Sequence, residues 1–104
     1  MNNDEDTRSP DIDKLIHEPA RLKIMAQLYV VESADFIFLM RRTQLTWGNL
    51  SSHMSRLETA GYIEVEKEFV DKKPHTILAL TEKGKAAFQS YRKVMQQVLN
   101  EIPE

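Results

Sequence analysis

The apolar residues of this chain change their spacing twice, and these two changes constrain the fold more than any other feature. From Pro19 to about Val31, Leu22, Ile24, Met25, Leu28 and Tyr29 recur at helical spacing. Pro19 suits the first turn of that helix. From Trp47 to Ala60, Leu50, Met54 and Leu57 form a second helical stripe, with Thr46 as its N-cap and Gly61 where a left-handed C-terminal cap belongs. The period then drops to two. Between Tyr62 and Phe69, Ile63, Val65 and Phe69 share one face and Glu64, Glu66 and Glu68 the other. Val70-Asp71-Lys72-Lys73-Pro74 reads as a charged hairpin tip, and His75 to Leu80 as the return strand with Thr76, Leu78 and Leu80 in register. At Thr81, an N-cap followed by Glu82, the helical period resumes and runs to about Glu101.

The stretch between the first two helices needs more argument. Ser33-Ala34-Asp35 reads as a short break, and Asp11 to Ile16 as a short helical turn. Phe36-Ile37-Phe38-Leu39-Met40 fits strand or helix by periodicity alone. The compact link Thr43-Gln44-Leu45 before the Thr46 cap favours a helix, giving two helices joined by a tight turn. The expected order is helix, helix, helix, strand, strand, helix: a mainly α chain with one small β-hairpin (α+β).

With 104 residues, 41% of them hydrophobic and 29% charged, one modest core is expected, a single domain over residues 11–104. Residues 1–10 read as a disordered acidic tail. There is no cysteine, so disulfides and thiolate metal sites do not arise. The acidic start is unlike a secretory signal, and the longest apolar run, Phe36 to Met40, is too short to span a bilayer; a cytoplasmic location is expected. Net charge is −2, but unevenly spread: residues 1–18 carry −4 and residues 41–93 carry +4. The asymmetry points to a polyanion partner for the second half.

Three constellations bear on function. In a helix–turn–helix the second helix enters the major groove of DNA and its N-terminal residues meet base edges. Here its solvent face offers Thr46, Trp47, Asn49, Ser52, His53 and Arg56, with no acid from Thr46 to Leu57. Asn pairs with adenine and Arg with guanine through two hydrogen bonds, while Ser and Thr suit phosphate or base. The hairpin tip carries Lys72 and Lys73 with His75 nearby, cations suited to the DNA backbone or the minor groove. In the last helix, residues 82–101, Phe88, Tyr91, Met95, Val98 and Ile102 follow a 3-4-3-4 spacing, the seam of a two-helix interface. A second copy of the chain is the expected partner, since two-fold symmetry sets two recognition helices one DNA turn apart.

Thr46-Trp47-Gly48-Asn49-Leu50-Ser51-Ser52-His53-Met54-Ser55-Arg56-Leu57-Glu58-Thr59-Ala60-Gly61-Tyr62 resembles the recognition helix of small stand-alone winged-helix regulators of the MarR/ArsR-like superfamily. Pro19 to Met25 resembles their first core helix, Glu68 to Thr76 their wing, and Leu80 to Phe88 their strand-to-helix junction. The resemblance spans about residues 12–100. It implies a winged helix–turn–helix with a three-helix core and a long C-terminal dimerisation helix. It further implies a homodimer acting on a pseudo-palindromic operator, with helix 47–60 in the major groove and wing 69–75 on the backbone or minor groove. The wing departs from the pattern at Asp71, where such wings often carry Gly, and Ile37 and Phe38 are more apolar than the pattern expects.

Other classes fit less well. His17, His53 and His75 lie on different elements without paired spacing, so no metal site is expected. No nucleophile–base pair or Gly-rich phosphate loop is present, so neither an enzyme nor a cofactor is expected. The alternative is a winged helix used for protein–protein interaction without DNA binding. The dimer helices leave room for a small-molecule effector pocket near Tyr29, Phe38 and Tyr91, but nothing in the sequence selects a ligand, and the effector is unknown.

Overall fold

The computed structural model describes residues 11–103, so the expected acidic tail, residues 1–10, lies outside the described residues. Within them the order is α1 (Pro19–Val31), β1 (Ser33–Asp35), α2 (Phe36–Thr43), α3 (Trp47–Thr59), β2 (Ile63–Val70), β3 (Lys73–Leu80) and α4 (Glu82–Asn100). This is a winged helix–turn–helix: three helices over one face of a small antiparallel sheet, with a long fourth helix.

Each helix starts where the preceding residue supplies an oxygen to orphan amides. Glu18 accepts from the Arg21 amide, Asp35 from Ile37 and Phe38, Thr46 from Asn49, and Thr81 from Gly84. Three helices end on residues of positive φ: Glu32 (φ 71°) closes α1, the left-handed Gln44 (φ 59°) closes α2, and Gly61 (φ 80°) follows the Ala60 cap of α3. Gly84 serves a different end. A Cβ there would overlap the Tyr62 carbonyl, so glycine lets the first turn of α4 lie against the start of β2.

Ser33–Asp35 is not a simple break. Leaving the turn at Glu32, it pairs with β3 (Ser33 opposite Ala79, Asp35 opposite Ile77) and makes a three-stranded sheet in the order β1-β3-β2. Three residues cannot display a period of two, and the pairing partner is more than forty positions away, so local sequence carries no sign of it. The hairpin is also tighter than expected. Val70 pairs with Lys73, and only Asp71 (φ 51°) and Lys72 (φ 67°) form the turn, a type I′ geometry; Lys73 and Pro74 belong to β3.

The core collects Ile24, Met25 and Leu28 from α1, Phe36 and Leu39 from α2, Leu50 and Leu57 from α3, Ile63 and Leu78 from the sheet, and Phe88 and Tyr91 from α4. Ile16 joins it from the N-terminal turn, fully buried. Each such side chain contributes about 1.5–3 kcal/mol on burial. The turn bearing Ile16 is held by Asp13, whose Oδ1 accepts from the Leu15 and Ile16 amides. Its other oxygen takes the Tyr62 hydroxyl at 2.6 Å.

Candidate nucleic-acid interface

α3 buries Leu50 and Leu57 and turns the other side outward. Asn49, Ser52, Ser55, Arg56 and Thr59 are exposed, and their spacing of three and four puts them in one row along the helix. Asn49, Ser52 and Arg56 were expected there. Ser55 and Thr59 were not singled out by the sequence, although helical spacing from Ser52 reaches both. The Thr46 hydroxyl is occupied at its cap, accepting from Asn49 N at 3.1 Å. Trp47 follows it at the first helical position, 61% exposed, with one side of its indole 4.6 Å from the Phe36 ring.

His53 lies apart from the outer row. Its side chain turns towards the start of α1, where Arg21 Nη1 donates to its Nδ1 at 3.1 Å and Glu18 lies 3.9 Å away. It braces α3 against α1 and does not join the outer row. Glu18 is held below the ordinary carboxylate range first by the Arg21 amide, which with the Arg21 charge outweighs the opposing effect of burial.

The wing shows the same division. Lys72 at the turn and Lys73 on β3 are exposed, as expected of cations reaching for phosphate. His75 is not free: its Nδ1 lies 2.6 Å from Asp35 Oδ2. Burial pushes the Asp35 carboxyl up, but the His75 contact and the Ile37 and Phe38 amides outweigh it and hold the pKa below its ordinary value. Asp35 therefore ends β1, caps α2 and anchors β3 together, and His75 fixes the wing's root. Arg41 and Arg42, exposed in the last turn of α2, add positive charge on the first helix of the pair. The acids of β2 sit elsewhere. Glu64, Glu66 and Glu68 share the outer sheet face with Ile77 and Ala79, opposite the face that packs on α3. The β2 carboxylates thus lie away from the outer row of α3, while Glu58 of α3 and Asp71 of the wing tip are exposed acids near it.

A family model described as "Winged helix DNA-binding domain" matches residues 20–99. The chain belongs to this family. Within the sequences of known proteins, this winged-helix chain is 37% identical over 78 residues to an uncharacterised protein of Methanocaldococcus jannaschii, covering 75% of this chain and 85% of that one. Among solved structures it is similar to a transcriptional regulator homologue from Pyrococcus horikoshii OT3, at 28% identity and a TM-score of 0.81, over 86% of this chain and 88% of the other. It also shares its fold with an E. coli MarR mutant complexed with operator DNA, at 20% identity and a TM-score of 0.67, over 86% and 69% of the two chains. The fold is that of MarR-like transcriptional regulators.

α4 divides the expected seam in two. Phe88 and Tyr91 lie inside the chain's own core, Phe88 against Tyr29 (5.1 Å between rings) and Tyr91 beside His17, whose Nδ1 is 2.9 Å from its hydroxyl. Past them Met95 and Val98 are half-buried, while Leu99 and Ile102 are 58% and 62% exposed. Within the single chain, Tyr29, Phe38 and Tyr91 line three separate surface depressions. Among the described residues, no helix is long and apolar enough to cross a membrane, and no three His, Cys, Asp or Glu side chains group as a metal site.

Proposed function

We propose that this winged-helix protein is a transcriptional regulator that binds duplex DNA as a homodimer on a pseudo-palindromic operator, in the cytoplasm, by binding and not by catalysis. α3 lies in the major groove, with Asn49, Ser52 and Arg56 towards base edges and phosphates. Lys72 and Lys73 of the wing follow the backbone or the adjacent minor groove. Ser55, Thr59 and Arg41 flank that path as phosphate contacts. Met95, Val98, Leu99 and Ile102 of two chains meet in the dimer.

The observation that supports this most directly is the uncovered outer row of α3. Four exposed hydrogen-bonding side chains, Asn49, Ser52, Ser55 and Arg56, stand in line with no carboxylate from residue 46 to 57. The MarR–operator complex is a relative in fold whose partner is DNA, which agrees with the reading.

The test is selection of bound fragments from a random duplex pool, followed by affinity at several salt concentrations. Log K falls by roughly 0.9 per neutralised phosphate per decade of salt. Selected sites carry two related half-sites about one DNA turn apart. Arg56→Ala costs about 1–3 kcal/mol, concentrated at one guanine position. Uniform weakening across sequences makes Arg56 a phosphate contact. A flat salt response, or no selected sequence, rejects DNA binding and favours a protein-interaction module.

A further inference from the structure

Trp47 is the largest exposed apolar surface on the recognition side, and its setting is specific. It occupies the first position of α3, directly after the Thr46 cap. Cα–Cβ bonds of a helix tilt towards its N-terminus, so the indole leads the helix in whatever direction that end advances. One side rests on Phe36, itself only 5% exposed, at 4.6 Å and an interplanar angle of 53°. That contact fixes the ring, so little rotamer freedom remains to be lost on binding. Beside it, no more distant part of the chain comes within 4 Å of where a Cβ on Gly48 would stand, so nothing from another element crowds this end of α3.

This arrangement does not suit phosphate, because an indole offers one neutral donor and a broad apolar edge. It suits an apolar group at the floor of the major groove. The only such group that a base pair presents there is the C5-methyl of thymine. We infer that Trp47 reads thymine by packing its exposed edge against the C5-methyl group. This rests on the proposed DNA-binding function and adds to it a specificity-determining residue and its target.

Removing the methyl while keeping the base pair isolates the contact. In a duplex of the selected site, each thymine is replaced in turn by deoxyuridine, and affinity is measured by anisotropy of a label on the DNA. For the wild-type chain, one thymine in each half-site shows a loss of about fourfold on replacement, the value of one buried methyl. In Trp47→Ala the unsubstituted site binds more weakly and the uracil penalty at that position disappears, while the penalty at Arg56's guanine is kept. Trp47→Phe retains part of it. The salt slope is the same in all three, because no phosphate contact is lost. A wild-type chain that binds the selected site but is indifferent to every uracil overturns the inference and leaves DNA binding standing. So does a uracil penalty that persists in Trp47→Ala. Absence of binding to any duplex overturns both.

Discussion

Both carboxylate oxygens of Asp13 are occupied, one by the Leu15 and Ile16 amides and the other by the Tyr62 hydroxyl at 2.6 Å. The consequence falls on the tyrosine. Burial first, then the hydrogen bond to Asp13 and its negative charge, push the Tyr62 phenol up from 10.0 to about 12. A folded pKa above the unfolded value means that the neutral phenol favours the fold. The contribution is complete below about pH 10 and is lost as pH rises towards 12. An absorbance titration of tyrosinate in the folded protein therefore shows a step near pH 12 that is missing in Tyr62→Phe. The melting temperature of the wild type falls over the same interval, and that of the variant falls less. A Tyr62 step at the ordinary phenol value would show that the Asp13 contact does not persist in solution. Nothing in the local sequence foretold this pair, since 49 positions separate its members. The partners of His53 and His75 are hidden for the same reason: the fold sets Arg21 beside one and Asp35 beside the other from far along the chain.

Elements were more legible than contacts, because caps and periodicity are local. Thr46, Gly61 and Thr81 stand where the sequence places them, and the alternation from Ile63 to Leu80 is the hairpin. What stayed hidden was β1, too short to show a period, and the exact reach of the turn. That turn links stability to function. Type I′ geometry requires positive φ at both central residues, which suits Asp-Gly, yet this wing uses Asp71-Lys72. A side chain other than Gly, Asn or Asp in the left-handed region costs roughly 1 kcal/mol. Lys72→Gly relieves that strain and raises stability to unfolding by roughly 0.5–1 kcal/mol, measured by denaturant titration. The same change removes a cation from the wing tip. Under the proposed function it weakens DNA binding at low salt and lowers the salt slope by about one phosphate. A gain in stability with unchanged affinity would mean that Lys72 does not meet DNA. A loss of stability would mean that the Lys72 stem packs on the wing in a way the strain argument ignores.

At the scale of the molecule, the radius of gyration is 16.4 Å, against about 13 Å for a compact domain of this length. Two parts project from the core: the wing, whose Phe69 and Val70 are exposed, and α4 beyond Tyr91. A helix of 19 residues is about 28 Å long, and its contact with the core runs only as far as Met95. The outer half ends in Leu99 and Ile102, apolar and in water, which is unfavourable unless another surface covers them. If that cover is a second copy, Leu99→Glu combined with Ile102→Glu leaves the single chain folded, since neither residue is in its core. Sedimentation equilibrium then reports a monomer where the wild type is a dimer. DNA affinity for a two-half-site operator falls by about 10²–10⁴, because the second half-site is no longer tethered. Affinity for an isolated half-site is unchanged, which separates loss of tethering from damage to α3. A double variant that remains dimeric would move the interface away from α4. The exposed Val30 and Val31 at the end of α1 are then the next apolar surface to test, since they are 79% and 41% exposed and do not touch the α3 row.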